Sequence, residues 1–195
     1  MEINDKDLTL VQLWNKYGRS KYITDKGDNH SYLPVYDQLF APFKDKKCNI
    51  FEIGHSAGGA LRLFDDYFTH PGTRIIGIDQ SDNDWLTFYE GKQYETNRVK
   101  TYIQDVHELN GYWFEEINFI PDIVIDDSNH LLLTQLFIVN NILPIINDGG
   151  LLIIEDIIDP QEKKLKFNEL GIPYELYDLN PIMYTRDNAL IVYRK

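Results

Sequence analysis

Two pairs of adjacent acids, Asp126-Asp127 and Glu155-Asp156, each close a short aliphatic run, and His130 follows Asp127 by three positions. Carboxylates that converge without cysteine or clustered histidine suit a hard cation bound through oxygen, Mg²⁺ or alternatively Mn²⁺ or Ca²⁺. Such a cation would hold an acceptor hydroxyl and lower its pKa. A histidine beside it could then take the proton, since imidazole exchanges protons near neutrality. This chemistry requires both acid pairs to reach the same rim of one sheet.

A second constellation lies upstream, in Asn49–Asp79: NIFEIGHSAGGALRLFDDYFTHPGTRIIGID. It reads as a buried strand, a glycine turn, a helix and a second strand ending in an acid. That is the first βαβ unit of a doubly wound sheet, which takes nucleotide-like ligands at the carboxyl ends of its strands. Gly54 and Gly58 let backbone approach a ligand, the helix start offers free N–H groups, and Asp79 can accept from two ribose hydroxyls. Two rival readings of this turn exist. Gly54-His55-Ser56-Ala57-Gly58 matches the G-x-S-x-G elbow of α/β-hydrolases, with Ser56 as nucleophile. Only helical and loop sequence precedes it, however, and no histidine follows His130 to complete the usual triad order. A dinucleotide dehydrogenase would require G-x-G-x-x-G, whereas the spacing here is G-x-x-x-G-G. Glu52, inside the first strand, instead suits a cofactor with an amino-acid end.

The elements that must carry these residues alternate. Strands are expected at 49–54, 74–79, 99–105, 121–127 and 149–156, and helices at about 58–69, 82–92, 107–116, 130–146 and 160–170. Such alternation implies parallel strands with right-handed crossovers. The runs 174–179 and 189–194 are joined by a loop containing Pro181 and too short for a helix. They are expected to pair as an antiparallel hairpin that places one reversed strand at the sheet edge. Upstream, 5–17 reads as a short amphipathic helix ended by Gly18, 19–31 as a loop, and Ser31 as the cap of a following helix. The fold class is therefore α/β: a doubly wound, mostly parallel seven-stranded sheet with a C-terminal antiparallel hairpin and a short N-terminal helical extension. It resembles the class I S-adenosylmethionine-dependent methyltransferase fold. One domain is expected over 1–195, with N-terminal helices and a covering loop in 1–45 and the core in 46–195.

Composition narrows the partners. The 195 residues carry 19 basic against 31 acidic side chains, a formal net charge of -12. Such a field repels nucleic acid and anionic membrane, which need clustered Lys and Arg. The dense basic group Lys163, Lys164 and Lys166 reads as a solvated helix face. No apolar run is long enough for a bilayer, and the acidic start MEINDKDLTL lacks a signal-peptide pattern. The one cysteine, Cys48, excludes an internal disulfide and is expected to be a buried small hydrophobe. These features assign the chain to a reducing cytoplasm.

The ordered set TDKGDNHSY (Thr24 to Tyr32), FEIGHSAGGALRLFDDYF, GID, IDDSNH, Gln135 and GGLLIIED resembles one family over roughly residues 22–157. It is similar to the metal-dependent sugar O-methyltransferases of macrolide biosynthesis, the macrocin and mycinamicin type, and to the related cephalosporin-hydroxylase-like methyltransferases. The resemblance implies S-adenosylmethionine as donor, S-adenosylhomocysteine as product, and Mg²⁺ held by Asp127, Glu155 and Asp156, with His130 as general base. It implies Asp79 on the ribose with Gln80 beside it, and Asp105 next to the adenine. Glu52, Gly54 and the amides from Ser56 to Gly58 would surround the methionine end, with Lys26 and His30 closing over it from their loop, and Asp126 is a further implied cofactor-binding residue. The implied acceptor is a hydroxyl of a sugar or glycoside. A catechol-type phenol or other small molecule, and a non-catalytic cofactor-binding subunit, are the alternatives, and homo-oligomerisation is left open. Tyr17, Tyr22, Tyr32 and Tyr184 could stack on sugar faces. One departure stands out: the family reads D-D-G-S-H where this chain has Ser128-Asn129 before His130. Losing that glycine would restrict the turn if it needed positive φ.

Overall fold

The computed structural model describes residues 4–80, 94–180 and 186–195. The helix expected at 82–92, the Pro181 loop and Tyr184 lie outside the described residues. Seven strands, β1 (Asn49–Ile53), β2 (Arg74–Asp79), β3 (Val99–Ile103), β4 (Ile123–Asp126), β5 (Leu151–Ile154), β6 (Glu175–Asp178) and β7 (Ala189–Arg194), form one sheet. Its order is β3-β2-β1-β4-β5-β7-β6. The first five are mutually parallel, and β1 lies between β2 and β4 with Ile53 opposite both Ile78 and Asp126. That register brings the carboxyl ends of β1, β2, β4 and β5 to one rim.

Side-chain alternation splits the core between the two faces of the sheet. Ile50, Ile123, Ile125, Leu151 and Ile153 face one cluster with α1 (Leu10–Tyr17), α2 (Leu33–Phe40) and α3 (Gly59–Tyr67). Phe51, Ile53, Val124, Leu152 and Ile154 face the other, with α4 (Gly111–Glu116), α5 (Leu132–Asn141) and α6 (Pro160–Asn168). Both faces of β4 and β5 are buried, which is why their sequences are continuously aliphatic.

Several expectations are corrected. The reversed strand is not at the edge: β7 runs antiparallel between β5 and β6, so the edge strand β6 is parallel to the rest. Its sequence ALIVY is buried throughout, as an inserted strand should be, whereas β6 is only half covered. Ser31 does not cap α2, which starts at Leu33 after Tyr32 without a side-chain cap; the Ser31 N–H donates to Asn188 Oδ1 at 2.9 Å. The expected helix at 130–146 breaks into α5 and a 3-10 turn at Leu143–Ile145, because Pro144 supplies no N–H. Gly18 ends α1 and Cys48 is buried, as expected.

Candidate active site

The β1–α3 turn is held against the neighbouring strand ends. Gly54 N–H donates to Ile78 O at 2.8 Å, and its φ is +86°. A Cβ there would lie 2.1 Å from Asp127 O, so only glycine lets β1 and β4 end so close together. Gly59 serves a similar approach on the other side, where a Cβ would lie 1.9 Å from Ile23 O. Ser56, at φ +48°, is exposed and donates its N–H to Asp79 Oδ2 at 3.0 Å, while Gln80 N–H donates to Oδ1 at 2.8 Å. Gly58, at φ +74°, is the N-cap of α3.

A cavity of about 700 Å³ opens over this turn, a volume that suits a nucleoside-sized ligand. Of the residues singled out from sequence, Glu52, Gly54, Ser56, Asp79, Gln80, Asp105, Asp127, His130 and Asp156 line it. Lys26, His30, Gly58, Asp126 and Glu155 do not. Asp105 is exposed at the cavity side and accepts from the His107 N–H at 2.9 Å.

Also lining this cavity, Asp127, His130 and Asp156 each offer one ligand atom, all within 4.8 Å of one another. The two carboxylates are oxygen donors that fit a divalent cation, and the imidazole lies within reach of them. His130 and Asp156 both take positive φ, +57° and +52°, and these bends turn their side chains toward each other. His130 Nδ1 lies 3.1 Å from Asp156 Oδ2. Ser128 needs no positive φ, so the missing family glycine costs the turn no backbone strain. Its N–H and hydroxyl both reach Asp126 Oδ1, at 3.2 and 2.6 Å.

Lys26 does not close over the cavity. Its side chain is 0% exposed and lies behind the wall, 2.5 Å from Asp127 Oδ2, 2.7 Å from Glu155 Oε2 and 3.5 Å from Glu52 Oε1. Burial alone would depress the Lys26 ammonium, but the Asp127, Glu155 and Glu52 carboxylates outweigh it and hold its pKa well above the ordinary value. Glu155 likewise stands outside the group of three. Its oxygens are engaged by Lys26 and by the Tyr36 hydroxyl, and burial pushes its pKa up. His30 sits behind Asp156, stacked on Tyr32, with Nε2 3.6 Å from the carboxylates of Asp25 and Asp156. Asp126 is buried, which pushes its pKa up to about 6 against the hydrogen bonds from Ser128. Burial also raises Glu52 to about 7, opposed by Lys26.

Sequence reasoning missed the partners supplied by α2 and α6. The Tyr32 hydroxyl donates to Asp156 Oδ1 at 2.6 Å, Tyr36 binds Glu155, and both tyrosines are fully buried. Tyr22 is fully buried too, so neither it nor Tyr32 presents a ring to a sugar. The spacing of Tyr32 and Tyr36, one helical turn apart, was the available signal. Lys163 is not merely a solvated face, since its Nζ reaches His130 O and Gln135 Oε1, each at 3.2 Å. The Ser56 hydroxyl has no histidine partner among the described residues, so nothing activates it as a nucleophile.

The sheet order and the inserted antiparallel β7 define a class I methyltransferase fold. The MycE methyltransferase of the mycinamycin biosynthetic pathway, solved in complex with Mg, SAH and mycinamycin VI, superimposes with a TM-score of 0.71 at 21% identity, over 98% of this chain and 55% of that one. In sequence, the chain is similar to the 8-demethyl-8-alpha-L-rhamnosyl tetracenomycin-C 2'-O-methyltransferase of Streptomyces olivaceus, 30% identical over 142 residues, 69% of this chain and 35% of the relative. It is also similar to the demethylmacrocin O-methyltransferase of Streptomyces fradiae, 29% identical over 71% of this chain and 35% of the relative. The chain thus spans about a third of the length of the curated relatives it matches. No protein-family model matches it. Among the described residues, no helix is long and apolar enough to cross a membrane.

Proposed function

We propose that this chain is the catalytic part of an S-adenosylmethionine- and divalent-cation-dependent O-methyltransferase that acts on a hydroxyl of a sugar or glycoside. One observation carries the reading. The Asp127, His130 and Asp156 group opens into the same cavity as the Gly54–Ser56 turn and Asp79. A methyl donor and a cation-held hydroxyl would therefore meet in one chamber. The sulfonium donor supplies an electrophilic methyl, and a Mg²⁺ ion would acidify and orient the acceptor hydroxyl.

The chain's own residues do the rest. In this reading Asp79 would accept from the ribose hydroxyls, Asp105 would lie beside the adenine, and Glu52 and Gly54 would face the methionine part; all four line the cavity. Asp127 and Asp156 would hold the cation through carboxylate oxygens. With the proton on Nδ1, His130 donates to Asp156 Oδ2, which leaves Nε2 free to take the acceptor's hydroxyl proton. The fixed turn and strand ends serve alignment, the main requirement of an in-line displacement. Similarity to enzymes named for rhamnosyl tetracenomycin and macrocin supports a glycoside acceptor.

The test is formation of S-adenosylhomocysteine from S-adenosylmethionine with Mg²⁺ and a panel of rhamnosyl and deoxysugar glycosides. Turnover is expected with at least one glycoside and should vanish on chelation. Turnover that persists in excess chelator would remove the cation, and turnover confined to catechols would replace the sugar. Tight cofactor binding with no transfer to any acceptor would favour a binding subunit.

A further inference from the structure

A sulfonium methyl donor carries an α-ammonium, the sulfonium itself and an α-carboxylate. The two positive groups have many possible partners, because Asp25, Glu52, Asp79, Asp105, Asp127 and Asp156 all line the cavity. The carboxylate meets the opposite situation, since among six acids it needs a positive partner. Among the described residues that line the cavity, Arg19 carries the one fixed positive charge. The other cations of its segment are engaged elsewhere: Lys21 pairs with Asp66 at 2.6 Å, and Lys26 is buried among Asp127, Glu155 and Glu52.

Arg19 is also held in place. It sits in the 3-10 turn Gly18–Ser20 that follows α1, and Asp28 grips it as a fork, with Nη2 donating to Oδ1 at 2.8 Å and Nε to Oδ2. Such a pair fixes the plane of the guanidinium. The loop closed by this pair reaches the start of α3, where Ile23 O is packed against Gly59, and the end of β5, where His30 stands 3.6 Å from Asp156. Asp79 and Asp105 belong instead to the ends of β2 and β3, on the other side of β1 from β5.

We propose that Arg19 binds the α-carboxylate of the donor's methionine part and so sets where that part lies in the cavity. The inference rests on the methyl-transfer reading above. A guanidinium oriented by Asp28 before the ligand arrives gives up less conformational freedom on binding than an untethered side chain would.

Calorimetry on the full chain tests this without turnover, by comparing S-adenosylhomocysteine with its decarboxylated analogue, S-adenosyl-3-thiopropylamine, which keeps the nucleoside, the thioether and the amine. The wild type is expected to bind the carboxylated ligand roughly tenfold or more tightly, as a hydrogen-bonded charge would give. Arg19→Ala should remove most of that preference by weakening S-adenosylhomocysteine alone. Arg19→Lys should restore only part of it, because an ammonium keeps the charge and loses the planar fork. Equal weakening of both ligands in Arg19→Ala would make Arg19 a structural residue of its loop. A preference unchanged in Arg19→Ala would give the carboxylate to backbone N–H groups, and a wild type that binds the two ligands equally would leave it without a recognising group. Each of these three results overturns the inference and leaves the methyl-transfer reading standing. A wild type that binds neither ligand overturns both.

Discussion

At the scale of single residues, His130 and Glu52 give the sharpest expectations. His130 is held by Asp156 at 3.1 Å and contributes no side chain to the Gly54–Asp79 turn. His130→Ala should therefore lower kcat by about 10²- to 10⁴-fold, the usual worth of a positioned base. Binding of S-adenosylhomocysteine, measured by calorimetry, should change little; an equal loss of both would make His130 a cofactor residue. Glu52 is 1% exposed, and burial raises its pKa from 4.5 to about 7. The folded chain thus holds a proton that the unfolded chain releases near pH 4.5. Its share of stability, on the order of 3 kcal/mol, is present below that pH and lost as pH rises toward 7. Urea midpoints across this window should fall with rising pH in the wild type and fall less in Glu52→Gln. Parallel curves would mean that Glu52 is ionised in the fold.

At the scale of elements, side-chain parity explains the site. Glu52, Asp127 and Glu155 continue the same alternation that points Ile50, Ile125 and Ile153 toward α1–α3. Asp126 and Ile154 point the other way. The N-terminal helices therefore cover the acids, and Lys26, Tyr32 and Tyr36 become their partners. Parity was legible in the sequence, but the covering layer was not, because a polar loop with a lysine reads as solvated until its counter-charges are placed. The inserted β7 makes a separate prediction. Ile191 is 0% exposed and pairs with Ile154 on β5 and Leu176 on β6. Ile191→Ala should cost about 2–5 kcal/mol in urea unfolding, and Leu176→Ala on half-covered β6 markedly less. Equal costs would argue that β6 anchors this edge of the sheet as firmly as β7.

At the scale of the whole molecule, the formal net charge of -12 adds self-repulsion to a fold whose site already gathers acids. Raising NaCl from about 0.01 M to about 0.15 M shortens the Debye length from about 30 Å to about 8 Å. The melting temperature of the metal-free chain should rise by about 2–4 °C, as about 1 kcal/mol of relieved repulsion would give. A fall would show that attractive ion pairs outweigh the excess charge.

The sequence by itself determined the alternating sheet, the turn at Gly54, and the acids at the ends of β4 and β5, because these follow from local patterning that neighbouring elements reinforce. It also carried the likeness to sugar O-methyltransferases. Tertiary structure decided how the acids are divided. Which carboxylate pairs with Lys26, which meets His130, and which strand lies inside the sheet depend on contacts between segments more than a hundred residues apart, such as Lys26 with Asp127 and Tyr32 with Asp156. Charge pairing at such separations leaves no periodic signal, since it is fixed only when the folded layers bring the groups together and exclude water.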